Sequence, residues 1–479
     1  MLVYTGHLSK LTMPVPPTPS APPDLLPVGN GQDEMNSTMT PSPRHQVRSP
    51  SLPESHRSIP IVAGASFFRK MLAFAGPGYL VAVGYMDPGN WATDLGGGSR
   101  FGYTLLSAVL ISSLMAIFLQ ALSAKLGIAT GRDLAQACRE HYSPRTTMIL
   151  WVLCEIAIAA CDLAEVLGSA IALKLLFGLP LLPGVLLTGL DVLLVLALQG
   201  RGFRVLETLV ITLIMTIAAC FAYEIFFARP LWIEAARGFL PTAEILKNRE
   251  MLYLAIGILG ATVMPHNLYL HSSLVQTRAF AENPKGKREA IRFATLDSTL
   301  ALGFSLFINA AILVLGAAAF HQRGMTTVAD ISRAYQLLTP VLGASLASVL
   351  FAAALLCSGQ NSTLTGTLAG QIVMEGFLHL RIRPWLRRLI TRSLAIIPAA
   401  LVIGIMGENH VTSLLILSQV ILSFQLPFAV VPLIQFTGDR GKMGEFTNSR
   451  MTAFFGWGMA VGIIVLNAAL LWLTFGGKI

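Results

Sequence analysis

Two short segments place polar side chains in the middle of long apolar runs, and each segment contains a proline. The segment Asp87–Asn90 (DPGN) interrupts the run Met71–Leu95, and the segment Met264–Asn267 (MPHN) interrupts the run Met251–Val275. Because proline removes a backbone donor and clashes with the preceding turn, each run is predicted to form two half-helices joined by unwound backbone. The breaks carry a carboxylate, amides, a thioether and an imidazole. These groups bind metal ions, so the pattern indicates a metal site.

The composition predicts which environment surrounds these breaks. The chain has 479 residues, of which 54% are hydrophobic and only 12% are charged, and its mean hydropathy is +0.66. Soluble domains carry about a quarter charged residues, so the sequence indicates an all-α polytopic membrane protein. Unwound backbone at membrane depth is tolerated where it lines a cavity or is buried in protein. Paired interruptions in two halves of a chain therefore point to a transported substrate.

Eleven apolar segments are predicted to cross the membrane, and the eighth is too long for one crossing. We expect that eighth segment to extend into the cytoplasm or to contain a kink. The predicted spans lie near residues 70–96, 101–126, 147–175, 181–199, 205–227, 251–276, 295–320, 335–375, 389–406, 411–434 and 451–475.

The distribution of basic residues predicts the orientation of the chain. With the N-terminus inside, 25 of the 34 lysines and arginines fall on the inner side. The positive-inside rule then places the N-terminus in the cytoplasm and the C-terminus outside, in the plasma (inner) membrane. Basic loops that face anionic membrane lipid account for the net charge of +9, so no nucleic-acid partner is needed.

The domain organisation follows from composition and span count. Residues 1–65 are rich in proline and are predicted to be a disordered cytoplasmic tail, whereas residues 66–479 form the membrane domain. Repeat one covers about 70–227, repeat two about 251–434, and an extra eleventh helix about 451–475. Because each repeat holds five spans and begins with a broken helix, the pattern predicts a LeuT-type five-plus-five inverted repeat with helices one and six broken.

The two broken segments also carry a family resemblance. The sequences around Asp87 and Met264 resemble the two signature segments of the Nramp family of proton-coupled divalent-metal transporters. The resemblance extends over most of residues 70–475. Further matching segments are Asp162–Glu165, Leu270–Ser273 and Ser418–Ser423.

The resemblance implies a function. It implies secondary active transport of Mn²⁺, and also of Fe²⁺, Cd²⁺ and Co²⁺, into the cytoplasm. Transport would be coupled to proton symport, by alternating access around a midplane site. The chain resembles bacterial manganese importers, and Met264 separates it from the magnesium-transporting branch of the family. We expect a monomer that is not an enzyme and has no prosthetic group, with Mn²⁺ or Fe²⁺ and protons as substrates.

Three residues at the breaks are predicted metal ligands. Asp87 would supply an anionic oxygen, since intramembrane carboxylates usually mark substrate or proton pathways, although it could instead cap a helix. Asn90 would supply an amide oxygen. Met264 would supply a soft thioether, which accepts transition metals and disfavours Ca²⁺ and Mg²⁺. By resemblance, the ligand set extends to the carbonyls of Gly84 and Ala261 and to the side chain of Gln419. An interhelical hydrogen bond is the alternative for Gln419.

A second group of residues is predicted to handle protons. Asp162 and Glu165 are three residues apart and share one face of span three, where burial and mutual repulsion would keep one of them protonated. A structural hydrogen-bonded pair is a compatible alternative. His266 is a candidate metal ligand, whereas the resemblance implies a role as a proton relay or gate. Glu155 would extend the acidic line, with a counter-charge that we expect to be one of two arginines of span nine, which otherwise anchor the inner loops: Arg387 and Arg388.

Two other classes of function fit the sequence less well than metal transport. A LeuT-type symporter of an organic solute such as an amino acid usually has uncharged, glycine-rich breaks, so Asp87 and Met264 disfavour it. A receptor or ion channel would need a sensor domain, and the only long polar segment is the proline-rich tail. The sequence contains no Gly-x-x-x-x-Gly-Lys-Ser/Thr loop, which indicates that ATP does not drive the protein.

Overall fold

A computed structural model describes residues 51–474, apart from 63, 192–201, 327, 329, 379 and 381. Within these residues the chain is helical, with one pair of two-residue strands. The elements, in chain order, are β1 Ile59–Pro60, α1 Phe67–Phe74, α2 Pro77–Gly84, α3 Pro88–Phe101, α4 Leu106–Thr130, α5 Leu134–His141, α6 Pro144–Phe177, α7 Leu181–Leu187, α8 Phe203–Ala228, α9 Trp232–Gly238, α10 Glu244–Lys247, α11 Arg249–Thr262, α12 Pro265–Leu274, β2 Arg278–Ala279, α13 Pro284–Ala319, α14 Ile331–Leu342, α15 Ala347–Leu378, α16 Pro384–Met406, α17 Val411–Gly438, α18 Arg440–Met443 and α19 Arg450–Thr474. Short 3₁₀ turns occupy Thr188–Leu190, Val275–Thr277, His321–Arg323, Glu408–His410 and Gly444–Phe446.

The first predicted span is broken as expected, and it contains an additional break. The helical path stops at Gly84 and resumes at Pro88, and a second interruption separates α1 from α2. Gly76 has a φ of 140°, which residues with a Cβ rarely adopt, and Pro77 begins the next helix without needing a backbone donor. Asp297 of α13 accepts the backbone N–H of Gly78 at 2.7 Å and so caps α2. The first span is therefore three helices rather than two.

Eight helices of the described residues are long and apolar enough to cross a membrane. The predicted span 335–375 is divided into α14 and α15, because Gly343 ends α14 in a left-handed conformation. This break takes the place of the kink or cytoplasmic extension that we expected there. The predicted span 181–199 is described only as far as residue 191, and the rest lies outside the described residues.

The broken helices lie at the centre of the bundle. In the second broken span, Arg249–Thr277, 89% of the most apolar window is buried, whereas the corresponding values are 24% for Trp385–Ile405 and 28% for Arg450–Trp472. Helices α16 and α19 therefore pack at the periphery, with apolar side chains facing outwards. Around the centre, α6 packs against α15, α13 packs against α3 and α4, and α11 packs against α17.

Residues 51–60, which we call the strap, contact the membrane domain. Ser51 donates to the carboxylate of Asp133, which forms a capping box at the start of α5. The backbone N–H of Arg57 donates to the carbonyl of Gln276 at 3.0 Å, and β1 pairs in parallel with β2, directly after α12. The predicted disorder of residues 1–65 is therefore wrong for the strap, because backbone pairing satisfies its polar groups. Residues 1–50 lie outside the described residues.

Candidate metal site between the two broken helices

The two predicted breaks are formed by corresponding residues of α3 and α12. Asp87 is the N-cap of α3 and Met264 is the N-cap of α12, and each is followed by a proline at the first helical position. Both side chains are fully buried. The proline fixes φ where the helix starts, so the preceding residue stays extended and its backbone is free of the helix.

Asp87 and Asn90 form a buried polar pair that reaches the second break. Oδ1 of Asp87 accepts the backbone N–H and the side-chain Nδ2 of Asn90, both at 2.8 Å. Nδ2 of Asn90 also donates to the carbonyl of Ala261 at 3.3 Å, across from α3 to α11. The helix cap, which was the alternative to a ligand role for Asp87, is therefore observed, and the ligand role stays a prediction. Within the described residues, Oδ2 of Asp87 makes no hydrogen bond.

Gly84 and Met264 bring the two breaks into contact. A methyl group at Gly84 would lie 3.3 Å from Sδ of Met264 and 2.1 Å from Nδ2 of Asn267. Only glycine therefore lets the first half-helix approach the thioether. Asn267 also donates to the carbonyl of Val81 at 3.4 Å, and its Oδ1 has no partner in the described part of the chain.

Gln419 of α17 lies against the first break. Its amide nitrogen occupies the space beside Gly89, where a methyl group would overlap it, and it donates to Ser418 at 3.0 Å. Its Oε1 has no hydrogen-bond partner among the residues described. The structure thus gathers all six predicted ligand residues at the two breaks: Asp87, Asn90, Met264, Gly84, Ala261 and Gln419.

The donor set differs from that of a resident metal centre. No group of three or more His, Cys, Asp or Glu side chains in the described residues could hold a metal ion. One carboxylate, two amides, one thioether and backbone carbonyls instead give a site with a single negative charge. Such a site can bind a dication while keeping it exchangeable, because fewer charged ligands bind more weakly.

Several polar residues around the site were not predicted. Asn309 of α13 donates to the carbonyl of Tyr85 at 2.8 Å and lies 3.5 Å from Oδ1 of Asn90. Gln120 of α4 donates to the hydroxyl of Tyr85 and contacts Nδ1 of His271 at 3.0 Å. The signal for Asn309 was its position as a lone amide in an apolar run. These contacts hold the unwound turn after Gly84 in place.

The two carboxylates of α6 share one face, as predicted. A methyl group at Gly366 of α15 would lie 3.1 Å from Oε1 of Glu165 and 3.5 Å from Oδ1 of Asp162. Glu165 accepts hydrogen bonds from Ser362 at 2.9 Å and from Thr363 at 3.1 Å. His266 is also buried, and Asp162 acts on it electrostatically.

Sequence reasoning missed the counter-charge of Glu165. Arg392 of α16 is 1% exposed and contacts Oε2 of Glu165 at 3.4 Å, and it also binds Asp191. From the sequence, Arg392 is simply one of the 25 basic residues on the predicted inner side. Because Glu165 has this partner, the predicted repulsion between Asp162 and Glu165 is offset by an ion pair.

The predicted pairing of Glu155 is observed with one of the two candidate arginines. Arg387 lies 3.6 Å from Oε1 of Glu155, which also accepts the indole N–H of Trp151 at 3.1 Å. Arg388 lies on the same helix, and its side chain is outside the described part of the structure.

The bundle, with its first and sixth spans broken around a buried polar site, defines a membrane transport protein of the LeuT-type fold. Comparison with solved structures agrees. The Eremococcus coleocola manganese transporter matches with a TM-score of 0.83 and 41% identity, covering 89% of this chain and 92% of that chain. Mhp1, a nucleobase-cation-symport-1 family transporter, matches with a TM-score of 0.58 at 14% identity, covering 83% and 90%, which shows the fold alone.

The chain belongs to the Nramp family. Residues 78–473 match the family described as natural resistance-associated macrophage protein-like. The divalent metal cation transporter MntH of Nostoc sp. is 62% identical over 428 residues, covering 89% of this chain and 97% of that protein. MntH of Listeria innocua is 58% identical over 431 residues, covering 90% and 96%. The chain is therefore a multi-span membrane protein that transports metal ions. It is not an enzyme, and the metal is its substrate rather than a prosthetic group.

Proposed function

We propose that this chain imports Mn²⁺, and also Fe²⁺, Cd²⁺ and Co²⁺, into the cytoplasm together with protons. The observation that carries the proposal is the contact between the two breaks, where Gly84 admits the thioether of Met264 and Asn90 links the carboxylate of Asp87 to the carbonyl of Ala261. A soft sulfur ligand penalises hard cations such as Ca²⁺ and Mg²⁺, which prefer oxygen and hold water tightly. The similar solved structure from Eremococcus coleocola is that of a manganese transporter, which supports the same choice of substrate.

The buried donor atoms account for the ligands that we propose. Oδ2 of Asp87 and Oε1 of Gln419 are buried and make no hydrogen bond within the described residues, so each is available to a cation. The amide of Asn90 and the carbonyls of Gly84 and Ala261 would add neutral oxygens. The single carboxylate matters most, because a dication in a low-dielectric site needs an anionic partner.

The proton route runs along α6 in this proposal. We propose Asp162, which acts electrostatically on His266, as the proton carrier, and Glu165 as the partner of Arg392. Glu155 and Arg387 would continue the route towards the cytoplasm, with Arg388 next to them on α16. Protonation would be coupled to alternating access, because α6 packs against both α15 and α17 around the broken helices.

The proposed setting is the plasma membrane, with a cytoplasmic N-terminus and an extracytoplasmic C-terminus. The inner excess of basic residues supports this orientation, and the outward-facing apolar side chains of α16 and α19 support direct contact with lipid. In this arrangement the negative-inside membrane potential favours cation entry. We propose that the monomer is the transporting unit, since the metal site is built from one chain.

Uptake by the purified protein in liposomes tests the metal substrate. Wild-type protein should take up Mn²⁺ saturably and faster with acid outside. Asp87→Asn should abolish uptake, because the site then has no anionic ligand. Asp439→Asn is a matched control, since Asp439 also caps a helix, α18, but lies away from the breaks. Near-normal uptake by folded Asp87→Asn protein, or uptake of amino acids in place of metals, would contradict the proposal.

A second variant separates proton handling from metal binding. Asp162→Asn removes a titrating group but no proposed ligand, so metal affinity in detergent should stay within a few-fold of wild type, which is about 1 kcal/mol or less. Metal-driven proton flux and stimulation by external acid should both fall sharply. If Asp162→Asn weakens metal binding as much as Asp87→Asn, then α6 supplies a ligand and the proposed division of roles is wrong.

A further inference from the structure

The helices close over the metal site on the side towards which α3 runs. A methyl group at Gly257 of α11 would lie 3.0 Å from Cγ2 of Thr93 and 3.9 Å from Cγ2 of Ile416 on α17. Thr93 is one turn beyond Asn90, so α3, α11 and α17 meet immediately beyond the proposed ligands. In the proposed orientation this is the outer side, and an incoming ion reaches Asp87 only after these helices separate.

Asp94 lies at this same level and has an unusual environment. Its side chain is 1% exposed, and neither carboxylate oxygen has a hydrogen-bond partner among the described residues. Burying an anion without a partner is costly, and such groups inside membrane proteins mark ion pathways. Among the buried carboxylates that the structure describes, only Glu224 of α8 shares this complete lack of hydrogen bonds.

The helical register aligns Asp94 with the metal site. Asp94 follows Asn90 by four residues and Asp87 by seven, and these spacings bring side chains to one face of a helix. Seven residues correspond to a rise of about 10 Å along the axis. Asp94 therefore lies two turns beyond Asp87 on the helix face that carries Asp87 and Asn90. Glu224 is on a different helix, α8.

We propose that Asp94 is a second, transient binding residue for the incoming dication, occupied before the ion reaches Asp87. When the outer ends of α3, α11 and α17 separate, water reaches the carboxylate, which then attracts the dication into the opened cleft. Because the two carboxylates are about 10 Å apart along the helix, an ion that moves from Asp94 to Asp87 stays within about one Debye length of an anionic group. A charged cleft of this kind raises the local concentration of a cation and its rate of entry.

The inference rests on the proposed function and is tested by the kinetics of Mn²⁺ uptake into liposomes that contain the full chain. Asp94→Asn should raise the apparent KM for external Mn²⁺ about tenfold while the maximal rate stays near wild type. Salt screens the attraction between Asp94 and the dication, with a Debye length of about 10 Å at 0.1 M. The dependence of sub-saturating uptake on ionic strength should therefore weaken when Asp94 is neutralised. Asp94→Glu keeps the charge and should retain a KM within about twofold of wild type.

Glu224→Gln is the matched control, since it neutralises a carboxylate that is equally buried and equally without hydrogen bonds. It should leave both KM and salt dependence unchanged. If Asp94→Asn does not fold, Asp94→Ser provides a second neutral variant. An unchanged KM in the folded neutral variant overturns the inference, as does a change confined to the pH profile, which would make Asp94 a proton carrier. If the wild-type protein takes up no Mn²⁺ in the same assay, the proposed function itself is overturned.

Discussion

Replacing Arg392 should weaken the packing of α16 against α6 more than any other single charge removal in the proton region. Its guanidinium is 1% exposed, contacts Glu165 at 3.4 Å and also binds Asp191. Arg392→Met removes the positive charge and leaves two buried carboxylates facing each other. Arg392→Lys keeps the charge, but a compact ammonium cannot serve two carboxylates as the planar guanidinium does.

The expected magnitude follows from the distance and the burial. Two unit charges at 3.4 Å attract by about 5 kcal/mol at an effective dielectric constant of about 20. Breaking a buried pair by removing one partner typically costs about 3–5 kcal/mol. We therefore expect Arg392→Met to lower the free energy of unfolding by about 3–5 kcal/mol. Glu165→Gln should cost only about 1–2 kcal/mol, since Arg392 keeps Asp191 and the amide still accepts hydroxyl donors.

Chemical unfolding of the purified protein in detergent measures these differences. The expected order of destabilisation is Arg392→Met, then Arg392→Lys, then Glu165→Gln. Arg145→Met is the control, because Arg145 is exposed on α6 and should change stability by no more than about 0.5 kcal/mol. A cost below about 1 kcal/mol for Arg392→Met, or a larger cost for Glu165→Gln, would show that the guanidinium is not what balances these carboxylates.

Three further predictions concern the metal site and the segment next to the strap. Met264→Ala should still transport Mn²⁺ with lower affinity but should admit Ca²⁺ or Mg²⁺, because the penalty that a soft ligand imposes on hard cations is gone. Competition between these ions in uptake assays measures the change, with Met215→Ala at an exposed position as the control. Unchanged exclusion of both Ca²⁺ and Mg²⁺ would contradict the prediction. Gly84→Ala places a methyl group 2.1 Å from Nδ2 of Asn267 and 3.3 Å from Sδ of Met264, so Mn²⁺ affinity measured by calorimetry should fall at least about tenfold, or about 1.4 kcal/mol. Gly458→Ala, where a methyl group meets nothing within 4 Å, should leave that affinity unchanged, and an equal effect of both would refute the steric argument. Burial raises the pKa of Asp133 from 3.8 to about 6, so the folded protein holds a proton that the unfolded chain releases. Stability should therefore fall as pH rises from about 4 to 6. In thermal unfolding, Asp133→Asn should remove this dependence of stability on pH while keeping the helix cap. Asp133→Ala should in addition lower the stability by about 0.5–2 kcal/mol, because the cap is lost. A pH dependence that persists in Asp133→Asn would exclude Asp133 as its source.

The features that the sequence predicted best are those with a local cause. Proline beside Asp87 and Met264 in apolar runs predicts broken helices, because a missing donor and a steric clash act within one turn. The convergence of the ligand residues was expected from family resemblance rather than from spacing. Gln419 illustrates this, since nothing near it in the chain indicates that its amide lies against Gly89.

The features that were missed depend on contacts between distant residues. Arg392 and Glu165 are 227 positions apart. A cluster of basic residues in the sequence indicates an inner loop, and it does not reveal that one of its arginines is buried. The extra break at Gly76 needs Asp297 of α13 to cap the helix that follows. Asn309 can be recognised as a site residue only when α13 is placed against the unwound turn at Tyr85.

The strap reinforces a junction between the two broken spans, where Arg278 of β2 already donates to the carbonyls of Ala73 and Ala75 at the end of α1. Its strand pairs with β2, just after the second broken helix, and it leads directly into α1, the first piece of the other broken helix. A mechanical load on the N-terminal tail is therefore carried first by the strap, through the hydrogen bonds of Ser51 to Asp133 and of Arg57 to Gln276. The load reaches α1 only after those bonds yield. A protein fused to the N-terminus would accordingly pull on the strap before it could pull on α1, the first piece of the broken span.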